Sequence, residues 1–269
     1  LIYYIGDISL CNMFCASIVG SRRSTSYGRG CAERFAGELA ENGVCIVSGM
    51  AEGIDSCAHR AALKKNGKTV AVLGSGIDKV YPASNLELYE EICKSGLVIS
   101  EFPLGETPKK GNFPQRNRII VGLAQCLIVA EAGMPSGTMI TVDYAINQSK
   151  SIFAIPGSIA SATSAGTNYL IKCGCKCAVD PKDVLLEYGI LKTVADEFSI
   201  PESDDFNDTQ RDILRLLSVE GMSAEELCEG LSVEADELNT AIMMLEISGY
   251  ISKKDGLKYE LNRQKDGNV

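Results

Sequence analysis

Val44-Cys45-Ile46-Val47-Ser48 runs straight into Gly49-Met50-Ala51-Glu52-Gly53, and from there into a helical stretch that reaches Asn66. The first five residues are apolar or small with no alternation, the pattern of a strand buried on both faces. The next five hold two glycines, which let backbone turn sharply or approach a ligand closely. The same unit recurs along the chain. Residues 16–20 run into Ser21-Arg22-Arg23 before a helical stretch at 28–42. Residues 69–74 run into Ser75-Gly76 before 84–95, and 97–101 precede 114–125. Residues 126–130 run into Ala132-Gly133-Met134-Pro135-Ser136-Gly137-Thr138 before 137–149. Strand segments at 152–156 and 176–179 enclose a helical stretch at 163–173. Strand and helix in strict turn predict an α/β fold, doubly wound, with a mostly parallel sheet and its ligand beyond the carboxyl ends of the strands.

Length and charge set the frame. The chain has 269 residues, of which 45% are hydrophobic, enough for one large domain and one small one. No apolar run approaches the roughly 20 residues that span a bilayer, and no basic stretch followed by an apolar one marks a secretory leader. The chain opens on Leu1, as a truncated or mature fragment would. Its net charge of -9 is uneven: residues 1–200 carry 19 basic and 19 acidic side chains, residues 201–269 carry 7 and 16. The average therefore does not exclude a polyanionic partner for the first 200 residues. Eleven cysteines in a long chain with one His are expected as thiols in a reducing cytoplasm rather than as a disulfide framework. Cys173, Cys175 and Cys177 alternate, a spacing that structural zinc rarely uses, so neither a metal nor a cofactor is expected.

The glycine-bearing loops carry the chemistry. Helices that start just after such turns present unpaired N–H groups to an anion. Four loops of this kind on one edge favour a phosphate-bearing ligand, with Ser21, Gly49, Gly53, Gly74, Ser75, Ser136, Gly137 and Thr138 as candidate contacts. None is a dinucleotide fingerprint or a P-loop, and no nucleophile elbow or zinc-protease motif occurs. The segment Lys109-Lys110-Gly111-Asn112-Phe113-Pro114-Gln115-Arg116-Asn117-Arg118 holds four cations and no acid beside a helix start. Cations are unfavourable at a helix N-terminus unless an anion shares the site. Phe113 could staple the helix or stack on a base, and an aromatic in a basic groove is the usual design for gripping a single strand. Arg22 and Arg23 form a second basic cluster, Arg suiting phosphate through its planar fork. If the strands at 16–20 and 97–101 are near one another, both clusters flank one crevice. The competing expectation makes Arg22 a structural partner of Glu131 or Asp55.

Several motifs together resemble the DNA-processing protein A (DprA/Smf) family: Val19-Gly20-Ser21-Arg22, then Ser48 to Asp55 with Ala58-His59, then Gly74 to Asp78 with Tyr81-Pro82. They continue with Phe113 to Ile120, Gly122-Leu123, Ser136-Gly137-Thr138 and Ile140-Thr141, and run from about Tyr3 to about Tyr188. The resemblance implies an extended Rossmann-like domain over residues 1–197 that binds single-stranded DNA without catalysis. It implies homodimers and the handing of the strand to a RecA-type recombinase in natural transformation. Carried onto this sequence, Arg22 and Lys110 would hold phosphate and Phe113 would stack on or wedge between bases. Gly49, Ser136, Gly137 and Thr138 would offer donors, and Arg116, Asn117 and Arg118 would touch DNA or fix the loop. Asn112 departs from the His that many members carry, and Glu52 places an acid in a phosphate loop. Members usually carry an N-terminal helical domain, which is expected to be absent or removed here.

Residues 198–207 are polar and acidic and read as a linker. Residues 208–263 then give three helical patterns and a hairpin whose turn is Asp255-Gly256, a winged helix that also resembles the family's C-terminal domain. Ile242, Leu245 and Ile247 are expected on the core face of its third helix. That helix carries Glu234, Asp236, Glu237 and Glu246 with no Lys or Arg, so it suits a protein partner better than a duplex. The rival reading of the chain is a nucleotide or nucleoside-phosphate hydrolase, with Ser136-Gly137-Thr138 cradling phosphate and Glu131 or Asp55 as general base.

Overall fold

Strands without a polar side need cover on both faces. A computed structural model describes residues 1–191, 206–217, 221–231, 233–254 and 258–262, which fall into two compact units, Leu1–Tyr188 and Gly189–Val269. The first unit holds eight strands: β1 (Tyr3–Gly6), β2 (Cys15–Gly20), β3 (Cys45–Ser48), β4 (Thr69–Leu73), β5 (Leu97–Ser100), β6 (Cys126–Glu131), β7 (Ser151–Ala154) and β8 (Lys176–Cys177). Between and after them lie α1 (Ser26–Glu41), α2 (Ile54–Lys64), α3 (Leu86–Ser95), α4 (Asn112–Leu123), α5 (Gly137–Asn147), α6 (Ala165–Lys172) and α7 (Pro181–Glu187). The sheet order is β1-β5-β4-β3-β2-β6-β7-β8. Every pairing is parallel except the edge strand β1 against β5, with Tyr3 opposite Ser100.

Burial on both faces is visible residue by residue. On β4, Val70 and Val72 pack with Ile119 and Ile120 of α4, while Ala71 and Leu73 pack with Leu88 and Ile92 of α3. β1 and α7 are additions to the sequence expectation. β1 is only four residues long and mostly exposed at the sheet edge, so its apolar run Leu1–Ile5 is not set off by a following α-helix. α7 opens with Pro181 behind a reciprocal cap between Asp180 and Asp183, a start signal in only seven residues. The expected strand at 176–179 shortens to two residues.

The second unit is a winged helix built from α8 (Asp208–Leu217), β9 (Met222–Ser223), α9 (Ala224–Leu231), α10 (Ala235–Ile247), β10 (Ile251–Lys254) and β11 (Lys258–Leu261). Its sheet runs β10-β11-β9. The capping box forms reciprocally, Ser223 N–H donating to Glu226 Oε2 at 2.7 Å and Glu226 N–H to Ser223 Oγ at 3.2 Å. Leu238, Ala241, Ile242 and Leu245 supply the core face of α10 at helical spacing. Ile247 does not join them: it lies about 200° round the helix from Leu245 and is 73% exposed. The expected linker lies mostly outside the described residues, as does its hairpin turn. Its Phe206 is buried in this unit's core, edge-on to Tyr250 at 5.0 Å.

His59, the single His, locks α2 to the sheet. Thr69 Oγ1 donates to the Ile46 carbonyl at 2.7 Å, so its 2.6 Å contact with His59 Nδ1 needs the ring to donate. That fixes a neutral Nδ1–H imidazole. Burial, helped by the charge of Arg116, pushes its pKa down to about 3. The unfolded chain takes up this proton first, so the stability this group confers is complete above about pH 6.5 and is lost as pH falls toward 3. His59→Gln removes that dependence. The slope of unfolding free energy against pH between about 4 and 6 should drop by close to one proton, about 1.4 kcal/mol per pH unit, in urea titrations of the two proteins.

Candidate nucleic-acid interface

The chain winds outward from β2 through β3 and β4 to β5, then returns to place β6 on the other side of β2. Such a reversal opens a crevice at the carboxyl ends of the strands. A cleft of about 640 Å³ lies there, lined by the loops after β2, β3, β4 and β6 and by the first turns of α4 and α5. The strands β2 and β5 are not neighbours, since β3 and β4 separate them. The two basic clusters meet because the segment after β5 reaches back over the strand ends and seats Phe113 on Gly74.

The end of α1, where this fold class usually holds a phosphate, is filled by the chain itself. Glu131 closes β6, is 2% exposed, and accepts the Thr25 amide on both oxygens at 3.1 and 3.2 Å. The Thr25 hydroxyl also donates to it, while accepting the Gly28 amide at 3.1 Å. A Cβ at residue 28 would stand 2.4 Å from the Glu131 carboxylate, so the first turn of α1 carries a glycine there. Glu131 is thus not the partner of Arg22. Asp55 forms no ion pair with Arg22 among the described residues, though the Arg22 charge favours its ionised form, and its Oδ2 accepts the amides of Gly49 at 3.1 Å and Ala51 at 3.3 Å.

Several candidate contacts turn out to build the cleft from behind. Arg116 is 3% exposed, and its Nη1 donates to the carbonyls of Gly49, at 2.6 Å, and of Val72. Burial pulls its pKa to about 10, with Asp55 opposing, and burial also raises Asp55, with Arg116 opposing. Each ion offsets part of the other's cost of leaving water, so losing either one leaves an uncompensated buried charge. Gly49 lies between these two groups and has its amide engaged, so it offers no donor to a ligand. Gly53, at φ 83°, turns the chain where a side chain would strike the Ser21 and Arg22 carbonyls. Gly74 is the seat of the Phe113 ring, and Ser75 is buried with its hydroxyl on the Lys79 carbonyl at 2.7 Å. Asn117 ties α4 to Thr141 of α5 at 2.8 Å, and Arg118 pairs with Glu101 outside the cleft lining.

What remains open is compact. Arg22, Arg23 and Lys110 are exposed, line the cleft and form no ion pair among the described residues. Lys109 is spent on Glu106 at 2.6 Å. The Arg22 guanidinium lies 5.0 Å from the centre of the Phe113 ring. In the same cleft lining, the Ser136 hydroxyl is buried without a partner among the described residues where α5 begins, beside Gly137 and Thr138. Ser21 also lines the cleft, its Oγ accepting the Arg23 amide at 3.1 Å. The residue that sequence reasoning missed is Tyr81, quoted only as part of a motif with Pro82. Its ring lies 5.5 Å from Phe113, but 32 positions away in sequence, a distance that no local pattern bridges.

Buried and exposed arginines should separate in a stability measurement. Arg116→Gln strands two carbonyls and the Asp55 carboxylate and should cost about 3–5 kcal/mol. Arg22→Gln removes a surface cation–π contact and a longer-range attraction to Asp55, partly offset by relief of its repulsion with Arg116, and should cost under about 1 kcal/mol. Urea unfolding of both variants checks the contrast.

Comparison with known proteins agrees with this architecture. Residues 1–189 match the family model for DNA recombination-mediator protein A, and residues 199–256 match the DprA winged helix domain. The DNA processing protein DprA of Streptococcus pneumoniae is 45% identical over 188 residues, covering 70% of this chain and 66% of that protein. Protein Smf of Escherichia coli is 34% identical over 264 residues, covering 96% and 71%. The crystal structure of the pneumococcal protein superposes with a TM-score of 0.67 at 44% identity, over 69% of this chain and 65% of that one. DNA processing protein A of Helicobacter pylori, described with a unique single-stranded DNA binding mode, superposes at 0.65 with 32% identity, over 70% and 86%. The chain therefore spans about two thirds of the pneumococcal relative's length, and with family models matching residues 1–189 and 199–256 it belongs to the DNA recombination-mediator protein A family.

Proposed function

We propose that this chain binds single-stranded DNA in the cleft between β2 and β6, without catalysis, and that its role is to protect incoming strands and pass them to a RecA-type recombinase in natural transformation. The observation that carries the reading is the convergence of three cations without an ion-pair partner among the described residues, Arg22, Arg23 and Lys110, on one cleft that also holds two aromatic rings. Cations supply a sequence-independent grip on phosphates, and rings accept any base. In the same lining, Ser136 adds a hydroxyl without a partner among the described residues, and Gly137 and Thr138 a helix start. The single-strand binding mode described for the Helicobacter pylori relative supports the same assignment. Homodimers in the cytoplasm and contact with the recombinase are part of this proposal on the strength of family membership. Against the hydrolase alternative, the Glu131 carboxylate is engaged by Thr25 and Asp55 Oδ2 by two backbone amides. The winged helix, with acids along α10, takes the role of a protein-interaction module in this reading.

Titration of single-stranded and duplex DNA at several salt concentrations tests the reading. The chain should prefer single strands with little dependence on base composition. Arg22→Ala and Lys110→Ala should each weaken binding and reduce the slope of log K against log salt by about 0.7 for each phosphate no longer neutralised. Equal affinity for single strands and duplex would refute the assignment.

A further inference from the structure

The turn after β4 brings into the cleft a ring that charge and phosphate do not account for. Tyr81 is 47% exposed and lines the cleft, with its ring 5.5 Å from that of Phe113 at 40°. Phe113 in turn lies under the Arg22 guanidinium at 5.0 Å. The three side chains therefore follow one another in contact as a row, Tyr81 to Phe113 to Arg22. Phe113, the middle member, is only partly exposed, and its edge rests on Gly74, where a Cβ would come within 2.8 Å of the ring. Much of its surface is already engaged with protein. The open aromatic surface in the row belongs to Tyr81.

The turn that carries Tyr81 is stiff. The Ser75 hydroxyl donates to the Lys79 carbonyl at 2.7 Å, the Lys79 amide to Gly76 at 2.9 Å, and the Gly76 amide to Glu106 at 2.8 Å. On its far side the buried Asn85 amide donates to the Met50 carbonyl at 2.9 Å, anchoring the turn to the loop after β3. A half-exposed ring on a braced turn, beside free cations, is ordered before a ligand arrives and loses little entropy on contact.

We infer that Tyr81 is the stacking platform for a nucleobase at the mouth of the cleft, and that Phe113 is a positioning residue that holds Arg22 toward the phosphates. The inference rests on the single-strand reading and refines it. It divides the row into a base-contacting end and a phosphate-contacting end, which have different salt signatures. Stacking involves no counterion release, whereas removing a cation from a phosphate flattens the salt dependence.

The test uses the full 269-residue chain and an oligothymidine carrying 2-aminopurine, whose fluorescence reports stacking. Tyr81→Ala should weaken binding about 5- to 150-fold, the range for one stacked base. It should leave the salt slope at the wild-type value and abolish the fluorescence change on binding. Tyr81→Phe should retain both affinity and fluorescence change. Phe113→Leu should lower the salt slope in the manner of Arg22→Ala. A Tyr81→Ala protein with wild-type affinity and fluorescence overturns the inference, as does a Tyr81→Phe protein as weak as Tyr81→Ala. A wild-type chain that does not bind the strand at all refutes the underlying function, a result distinct from wild-type binding with an indifferent Tyr81.

Discussion

The cleft depends on one buried guanidinium. Arg116 sits in the first turns of α4 and donates to the carbonyls of Gly49 and Val72, at the ends of β3 and β4. An ion in the interior is tolerated only when its donors are satisfied and a counter-charge is near, and here Gly49, Val72 and Asp55 meet those needs. The result is a fixed distance between α4 and the two strand ends. Phe113 and Lys110, close before Arg116 in the chain, inherit their positions from it. Hydrophobic contact between α4 and the sheet has no comparable directionality, so the apolar core could hold α4 in place without fixing its rotation.

Around this anchor the cations divide into two populations. Arg116, Arg118 and Lys109 are matched to carbonyls or carboxylates and have no capacity to spare. Arg22, Arg23 and Lys110 form no ion pair among the described residues and share the cleft lining with a serine hydroxyl that has no partner among them. Charge counting cannot distinguish them, because both populations read as Arg or Lys in a Gly-rich loop. Burial and partner geometry do.

This explains how far the sequence could be read. The unbroken apolar runs at 44–48, 69–74 and 126–130 announce a parallel sheet because burial on both faces is a composition constraint. The cleft was legible for the same reason: glycines and cations gathered at strand ends. The inner lining was not. Gly49, Gly74 and Ser75 look like phosphate contacts until Asp55, Phe113 and Lys79 are seen to occupy them. Tyr81 stayed hidden because its neighbour in space is remote in sequence, and Ile247 was misplaced because an apolar residue near a helix end does not declare its face. In each case the deciding contact is between residues that share no local pattern.

Glu131 at the start of α1 has one more consequence. A carboxylate built into the chain is an occupant at fixed, very high effective concentration, and it can neither be diluted nor exchanged. A free anion reaches that helix end only by displacing the carboxylate. The position this fold class most often offers to a phosphate is therefore occupied from within the chain, and the ligand-facing surface shifts to the neighbouring loops.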